Sequence, residues 1–179
     1  MGGGDKCLLP LGDRPLLAHV IERLRPQVAV LALNANGDAT RFSPFGLDVA
    51  ADDAADFAGP LAGILAALDW AKRVHPSVTT VLTVPADTPF LPRDLAARLE
   101  AAGAPALVRS GGRIHPVVGL WPVKLADGLR AALRGEGIRK VEEWTRRLDP
   151  VIVDFEVGGI DPFFNVNTPD DLRRAAAFL

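Results

Sequence analysis

Six consecutive apolar residues, Val28-Ala29-Val30-Leu31-Ala32-Leu33, carry no polar side chain on either face. An extended segment points successive side chains to opposite sides, so such a run needs cover on both. A half-solvated antiparallel sheet cannot supply that cover. A mostly parallel sheet with helices on both faces can, and this feature commits the chain to a layered α/β architecture.

The remaining segments alternate to match. Val78 to Val84 is the clearest strand, β-branched and apolar. Leu47 to Ala50 is a weaker one, and Ala106 to Val108, Val117 to Trp121 and Val151 to Phe155 read as others. Gly111-Gly112 lies between two of them and signals a hairpin. Cys7 to Leu11 is a short extended piece closed by a Gly12-Asp13 turn. Pro15 opens a helix with Leu16, Leu17, Val20, Ile21 and Leu24 on one face, and Pro26 ends it. Pro60 to Arg73 repeats the pattern through Leu61, Ile64, Leu65 and Leu68. Further helices are expected around Leu95 and Leu99, over Leu125 to Leu133 and over Val141 to Leu148. The last helix starts at Thr168 as N-cap, with Pro169 in the first turn and Asp170 and Asp171 at the positive end. Right-handed crossovers follow for such a chain, with ligands beyond the carboxyl ends of the strands.

Composition narrows the class. At 179 residues and 49% apolar content the chain fits one domain, 1–179, with a sizeable core. A net charge of −2 leaves no footprint for nucleic acid or an anionic membrane surface. Cys7 is the single cysteine, which excludes an internal disulfide and a cysteine-rich metal cluster. No apolar run is long enough to span a bilayer, and the first residues lack a signal-peptide core. Gly2 does not open a myristoylation motif, because the sixth residue is Lys6. A cytoplasmic protein is expected.

Polar residues collect where strands end: Asn34 and Asn36, Asp52 and Asp53, Asp87, then Asn165 and Asn167 before the last helix. Each alone is a common turn or cap former. Separated as they are by buried strands, together they point to one shared site. Gly2-Gly3-Gly4-Asp5-Lys6 is either a flexible end or a phosphate cradle with Lys6 as its cation. It is not a Walker A loop. Asp87 is held between Pro85 and Pro89, either as a turn residue or as a rigid carboxylate suited to magnesium, which binds through one or two carboxylates plus phosphate oxygens. In Gly59-Pro60-Leu61-Ala62-Gly63, Gly63 lets a flat ring or a neighbouring backbone come close. Gly137-Ile138-Arg139-Lys140 is either a solvated turn or a phosphate grip. His115 has no partner at a telling spacing and reads as a structural histidine, not a triad member. Trp70, Trp121 and Trp144 read as core or groove residues.

Gly-Gly-Gly-Asp-Lys at 2–6, Asn34-Ala35-Asn36, Asp52, Gly59 to Gly63, Pro85-Ala86-Asp87-Thr88-Pro89, His115-Pro116 and Asn165-Val166-Asn167-Thr168-Pro169 appear in an order that resembles the molybdenum cofactor guanylyltransferase family, the MobA-like nucleotidyltransferases. The resemblance spans nearly the whole chain. It implies a Rossmann-like, three-layer nucleotidyltransferase fold, GTP and Mg²⁺ as reagents, and molybdopterin as acceptor. By motif, Lys6 contacts the triphosphate, Asn34 and Asp52 line the GTP site, and Asp87 binds Mg²⁺ and touches GTP. Arg139, Asn165 and Asn167 look similar to residues on the pterin side. Cofactor-insertion chaperones or apo-molybdoenzymes are the implied recipients.

One departure stands out. The family begins with a central buried strand ending in Leu-Ala-Gly-Gly and a short arginine-bearing loop before Met-Gly-x-Asp-Lys, and this sequence starts at that methionine. Loss of that strand would expose two neighbouring strand edges and remove phosphate donors, so a weakly active or unstable 179-residue form is expected beside one extended upstream. The competing expectations are a cytidylyl- or sugar-nucleotidyltransferase of the same fold, and a non-catalytic nucleotide-binding or cofactor-handover module.

Overall fold

A computed structural model describes residues 5–51 and 59–179. Pro10–Leu11 (β1) and Arg14–Pro15 (β2) form a small hairpin, followed by helix Leu16–Leu24 (α1). Ala32–Asn34 (β3) pairs in parallel with Asp48–Ala50 (β4), and helix Pro60–Val74 (α2) leads on to Thr80–Thr83 (β5). Next come helix Leu95–Ala102 (α3) and strands Ala106–Ser110 (β6) and Arg113–Pro122 (β7). Helices Ala126–Gly135 (α4) and Val141–Thr145 (α5), strand Val151–Phe155 (β8) and helix Pro169–Ala176 (α6) complete the chain.

The main sheet has the order β5-β7-β6-β8. β6 and β8 run in parallel, and β7 is antiparallel to both β5 and β6. β5, β6 and β8 therefore share one direction, with β7 the reversed exception. The expected hairpin makes that reversal. Gly111 and Gly112 sit at φ 53° and 77°, both left-handed, as a two-residue turn between twisted strands requires.

Side-chain alternation builds the three layers. Val81, Leu107, Trp121 and Ile152 face α2, α4 and α5 in one apolar cluster. Leu82, Ala106, Val108, Leu120 and Val153 face α1 and α3 in the other. Covered on both faces, these strands need no polar alternation, which is how they read in the sequence. Trp121 is fully buried, and its indole N–H donates to Thr83 Oγ1 at 2.8 Å, so the one polar atom of the largest core side chain is satisfied.

Two expectations need correction. The strand expected over Val28 to Leu33 is paired only from Ala32, and Val30 is 41% exposed. The expected strand over Val78 to Val84 is paired over Thr80 to Thr83, on the β7 side, and its residues are half-buried. The cause is a cleft of ≈ 380 Å³ between the β3–β4 pair and the main sheet, lined by residues 28–32 and 77–82 with Trp70 and His75. The two sheets are not hydrogen-bonded to each other. The apolar content of both runs is sufficient for burial, but each lacks a neighbouring strand on the cleft side among the described residues.

Candidate functional site

Residues 161–167, between β8 and α6, tie the carboxyl ends of the strands together. Asp161 accepts from Ser110, the last residue of β6. Thr88 Oγ1 donates to Asn165 Oδ1 at 2.9 Å, and the Val166 N–H donates to the Asp87 carbonyl at 3.0 Å. Lys6 Nζ donates to Asn167 Oδ1 at 3.3 Å. The end of this segment is fixed by a capping box, in which Thr168 accepts from the Asp171 N–H and Asp171 accepts from the Thr168 N–H. Sequence-distant polar groups are thus held side by side by hydrogen bonds, some of them to backbone.

An apolar patch sits beneath them. Cys7, Leu33, Ala35 and Ala86 pack in one cluster with Leu17 and Phe42. Each is next in sequence to a predicted site residue: Lys6, Asn34 or Asp87. Packing on one patch draws the three segments that carry these residues together, and Lys6 is near enough to Asp87 for its charge to act on the carboxyl. Asp87 Oδ1 is buried and has no hydrogen-bond partner. Burial holds the Asp87 carboxyl above the usual carboxylate range, partly offset by a backbone hydrogen bond and by the positive charge of Lys6. A carboxylate oxygen out of water and without a donor is positioned to take a cation.

Asn34 links three elements. Its Nδ2 donates to the Ala50 carbonyl at 3.0 Å, which also accepts from the Ala35 N–H at 3.2 Å. Its Oδ1 lies against α2 so closely that a Cβ on Gly63 would stand 2.9 Å from it. The close neighbour of Gly63 is therefore an amide side chain, in place of the flat ring or backbone expected from the sequence.

Arg41 was not foreseen. Its guanidinium donates to Asp5 and to the carbonyls of Asn36 and Asp38, and it lies over the Phe42 ring at 4.4 Å. This fork fixes the residue before Lys6 against the loop after β3. Nothing in the spacing of Arg41 signals that role, since its partners lie on two separate loops. Thr88, Ser110 and Asp161 were also overlooked, as single turn or strand-end residues.

The other candidates lie elsewhere. Arg139 donates to the carbonyls of Leu133 and Ile138 at 3.0 and 2.9 Å, closing off the end of α4. It makes no described contact with Lys6, Asp87 or the asparagines. Asp52, Asp53 and the Gly2-Gly3-Gly4 run lie outside the described residues. Trp121 and Trp144 are core residues with ring centroids 5.5 Å apart. No group of three or more His, Cys, Asp or Glu side chains among the described residues could hold a metal by itself. No helix among them is long and apolar enough to cross a membrane.

Comparison with known proteins identifies the family and the fold. Residues 1–151 match the family model of the MobA-like NTP transferase domain. A protein of Bradyrhizobium sp. (strain ORS 278) named molybdenum cofactor guanylyltransferase is 54% identical over 98% of this chain and 85% of its own length. A protein of the same name from Rhodopseudomonas palustris (strain BisB5) is 51% identical over 98% of this chain and 86% of its own. Among solved structures, molybdopterin-guanine dinucleotide biosynthesis protein A from Archaeoglobus fulgidus superposes with a TM-score of 0.71 at 25% identity, covering 98% of this chain and 91% of that one.

Proposed function

We propose, from the fact that this chain belongs to the molybdenum cofactor guanylyltransferases, a family of nucleotidyltransferases, that it transfers GMP from GTP to molybdopterin-bound molybdenum cofactor and releases pyrophosphate. One observation carries the reading onto this chain's own residues. The segments carrying Lys6, Asn34 and Asp87 pack on one apolar cluster, and the buried, partnerless Asp87 oxygen has the Lys6 ammonium as its counter-charge.

The chemistry asks for little more. The acceptor is a phosphate monoester, anionic at neutral pH, which attacks the α-phosphorus of GTP as pyrophosphate leaves. An anionic nucleophile needs no general base. The barrier is charge repulsion and alignment, which fixed cations reduce. Lys6 supplies a positive charge to the triphosphate, and Arg41 holds the Asp5-Lys6 segment in place through Asp5. Asn34 and Asp52 serve the nucleoside end. Asn165 and Asn167 lie on the acceptor side, and Arg139 serves that side only if its capping bonds to α4 are exchanged for phosphate.

Asp87 fits a magnesium site. Its unpartnered buried oxygen is the one protein ligand such an ion needs when substrate phosphates and water supply the rest. When bound there, magnesium offsets triphosphate charge and stabilises the departing pyrophosphate. The reading implies a cytoplasmic protein whose product passes to apo-molybdoenzymes or their chaperones.

The test is incubation of the purified chain with GTP, Mg²⁺ and molybdenum cofactor. Pyrophosphate and the guanine dinucleotide should form in equal amounts, with GTP preferred over CTP, ATP and UTP. Binding of GTP without pyrophosphate release would defeat the enzyme assignment.

A further inference from the structure

His115 has no partner at a telling sequence spacing, yet in the fold it contacts Ser110 and, through it, Asp161. Ser110 Oγ stands 2.7 Å from His115 Nε2 and 2.8 and 2.9 Å from the two oxygens of Asp161. Asp161 Oδ1 also accepts the Phe163 N–H at 2.8 Å, and the Phe163 ring lies 5.1 Å from the imidazole. Ser110 is 1% exposed, so this contact is sealed from water.

Proton counting fixes the arrangement. A carboxylate only accepts, so the single Ser110 proton goes to Asp161. The hydroxyl oxygen is left as an acceptor, and the proton in the 2.7 Å contact must come from His115 Nε2. The neutral imidazole then has its lone pair on Nδ1, which has no hydrogen-bond partner among the described residues. Burial lowers the His115 pKa, with Arg113 adding to the effect and Asp161 opposing it, so the neutral ring prevails near pH 7.

The network is anchored to the site edge. β7 pairs His115 with Val108, two residues before the end of β6. Phe163, against the ring, is two residues from Asn165, which accepts from Thr88 beside Asp87. We propose that His115 is a specificity-determining residue for the acceptor substrate: Asp161 and Ser110 lock it in the Nε2–H tautomer, so that Nδ1 accepts a hydrogen bond from an N–H group of the acceptor's pterin ring. This rests on the transferase reading above. It adds a recognition contact for the ring, distinct from the phosphate contacts. An Nδ1 acceptor repels phosphate oxygens and selects a donor, which separates the two halves of the acceptor.

¹⁵N-imidazole NMR of the whole chain tests the first half of the proposal. His115 should show the Nε2–H tautomer, and Ser110→Ala should mix the two tautomers. Titration with neopterin monophosphate should shift the His115 Nδ1 resonance, while inorganic phosphate should not. Kinetics test the second half. His115→Phe should raise KM for molybdenum cofactor about 10-fold, the upper range for one neutral hydrogen bond, and leave KM for GTP within 2-fold. His115→Gln, which keeps an acceptor and a donor, should recover part of the loss. An Nδ1–H tautomer, an unmoved Nδ1 resonance, or equal changes in both KM values would overturn the proposal. If the wild-type chain transferred no GMP, the transferase reading would fall while the NMR titration still decided the pterin contact.

Discussion

Gly63→Ala separates a structural from a functional role for the Asn34 contact. The new Cβ would lie 2.9 Å from Asn34 Oδ1, closer than real Cβ contacts allow. The neighbour is the end of a side chain, so Asn34 swings away and the helix stays. Gly63 sits inside α2, where alanine is favoured over glycine by about 0.8–1 kcal/mol. Against that, the contacts Asn34 makes in its present position, the Nδ2 bond to Ala50 among them, are lost, a net cost of about 0.5–1.5 kcal/mol for a typical bond. The two nearly cancel, so Tm should stay within about 2 °C of wild type, given roughly 2–4 °C per kcal/mol at this size. GTP binding should nonetheless weaken about 5- to 10-fold, because the displaced side chain is the one assigned to the nucleoside. The assays are differential scanning fluorimetry and isothermal titration with GTP. A fall in Tm of more than about 5 °C, or unchanged GTP affinity, would refute the reasoning.

Asp87→Asn should lower pyrophosphate release at least about 100-fold in a steady-state assay, as expected for loss of an electrostatic ligand in the reacting site. The stability of the wild type should depend on pH in a definite direction. The folded carboxyl has a raised pKa, so the folded state binds its proton more tightly and wild type loses stability as pH rises from the ordinary carboxylate range through the raised value. The melting temperature of Asp87→Asn should therefore match wild type at low pH and exceed it near pH 7 without metal; a deficit at neutral pH would contradict this. Added Mg²⁺ with GTP should raise the wild-type Tm and leave that of Asp87→Asn nearly unmoved. Arg41→Gln should release the Asp5-Lys6 segment and raise KM for GTP about 10-fold with little effect on acceptor KM, read by varying each substrate in turn. Gly119→Ala should lower Tm by roughly 2–12 °C, because overpacking costs about 1–3 kcal/mol. Its Cβ would meet the Ala106 carbonyl at 2.9 Å and Leu107 and Trp121 at 2.8 Å, and the carbonyl cannot turn aside.

Local rules carried much of the fold. Thr168, Pro169 and Asp171 announced the capped start of α6, and Gly111-Gly112 announced the hairpin, because those residues act through their immediate backbone. The doubly apolar strands announced helices on both faces, because a buried strand permits no alternative. Strand limits were less legible. Val28 to Leu31 looks as apolar as Ala32 to Leu33, yet pairing depends on which strand lies alongside, and that neighbour comes from another part of the chain.

The sequence by itself determined which polar residues could act, since carboxylate, amide and ammonium chemistry belongs to the side chain. The fold alone decided which of them meet. It joined Lys6, Asn165, Asn167 and Asp87 through one loop, set Arg41 behind Asp5, turned Arg139 to a helix end, and gave His115 a serine and an aspartate. The reason is range. Propensity and capping act within a few residues, whereas these meetings depend on strand order and on the shared apolar clusters that draw distant segments together.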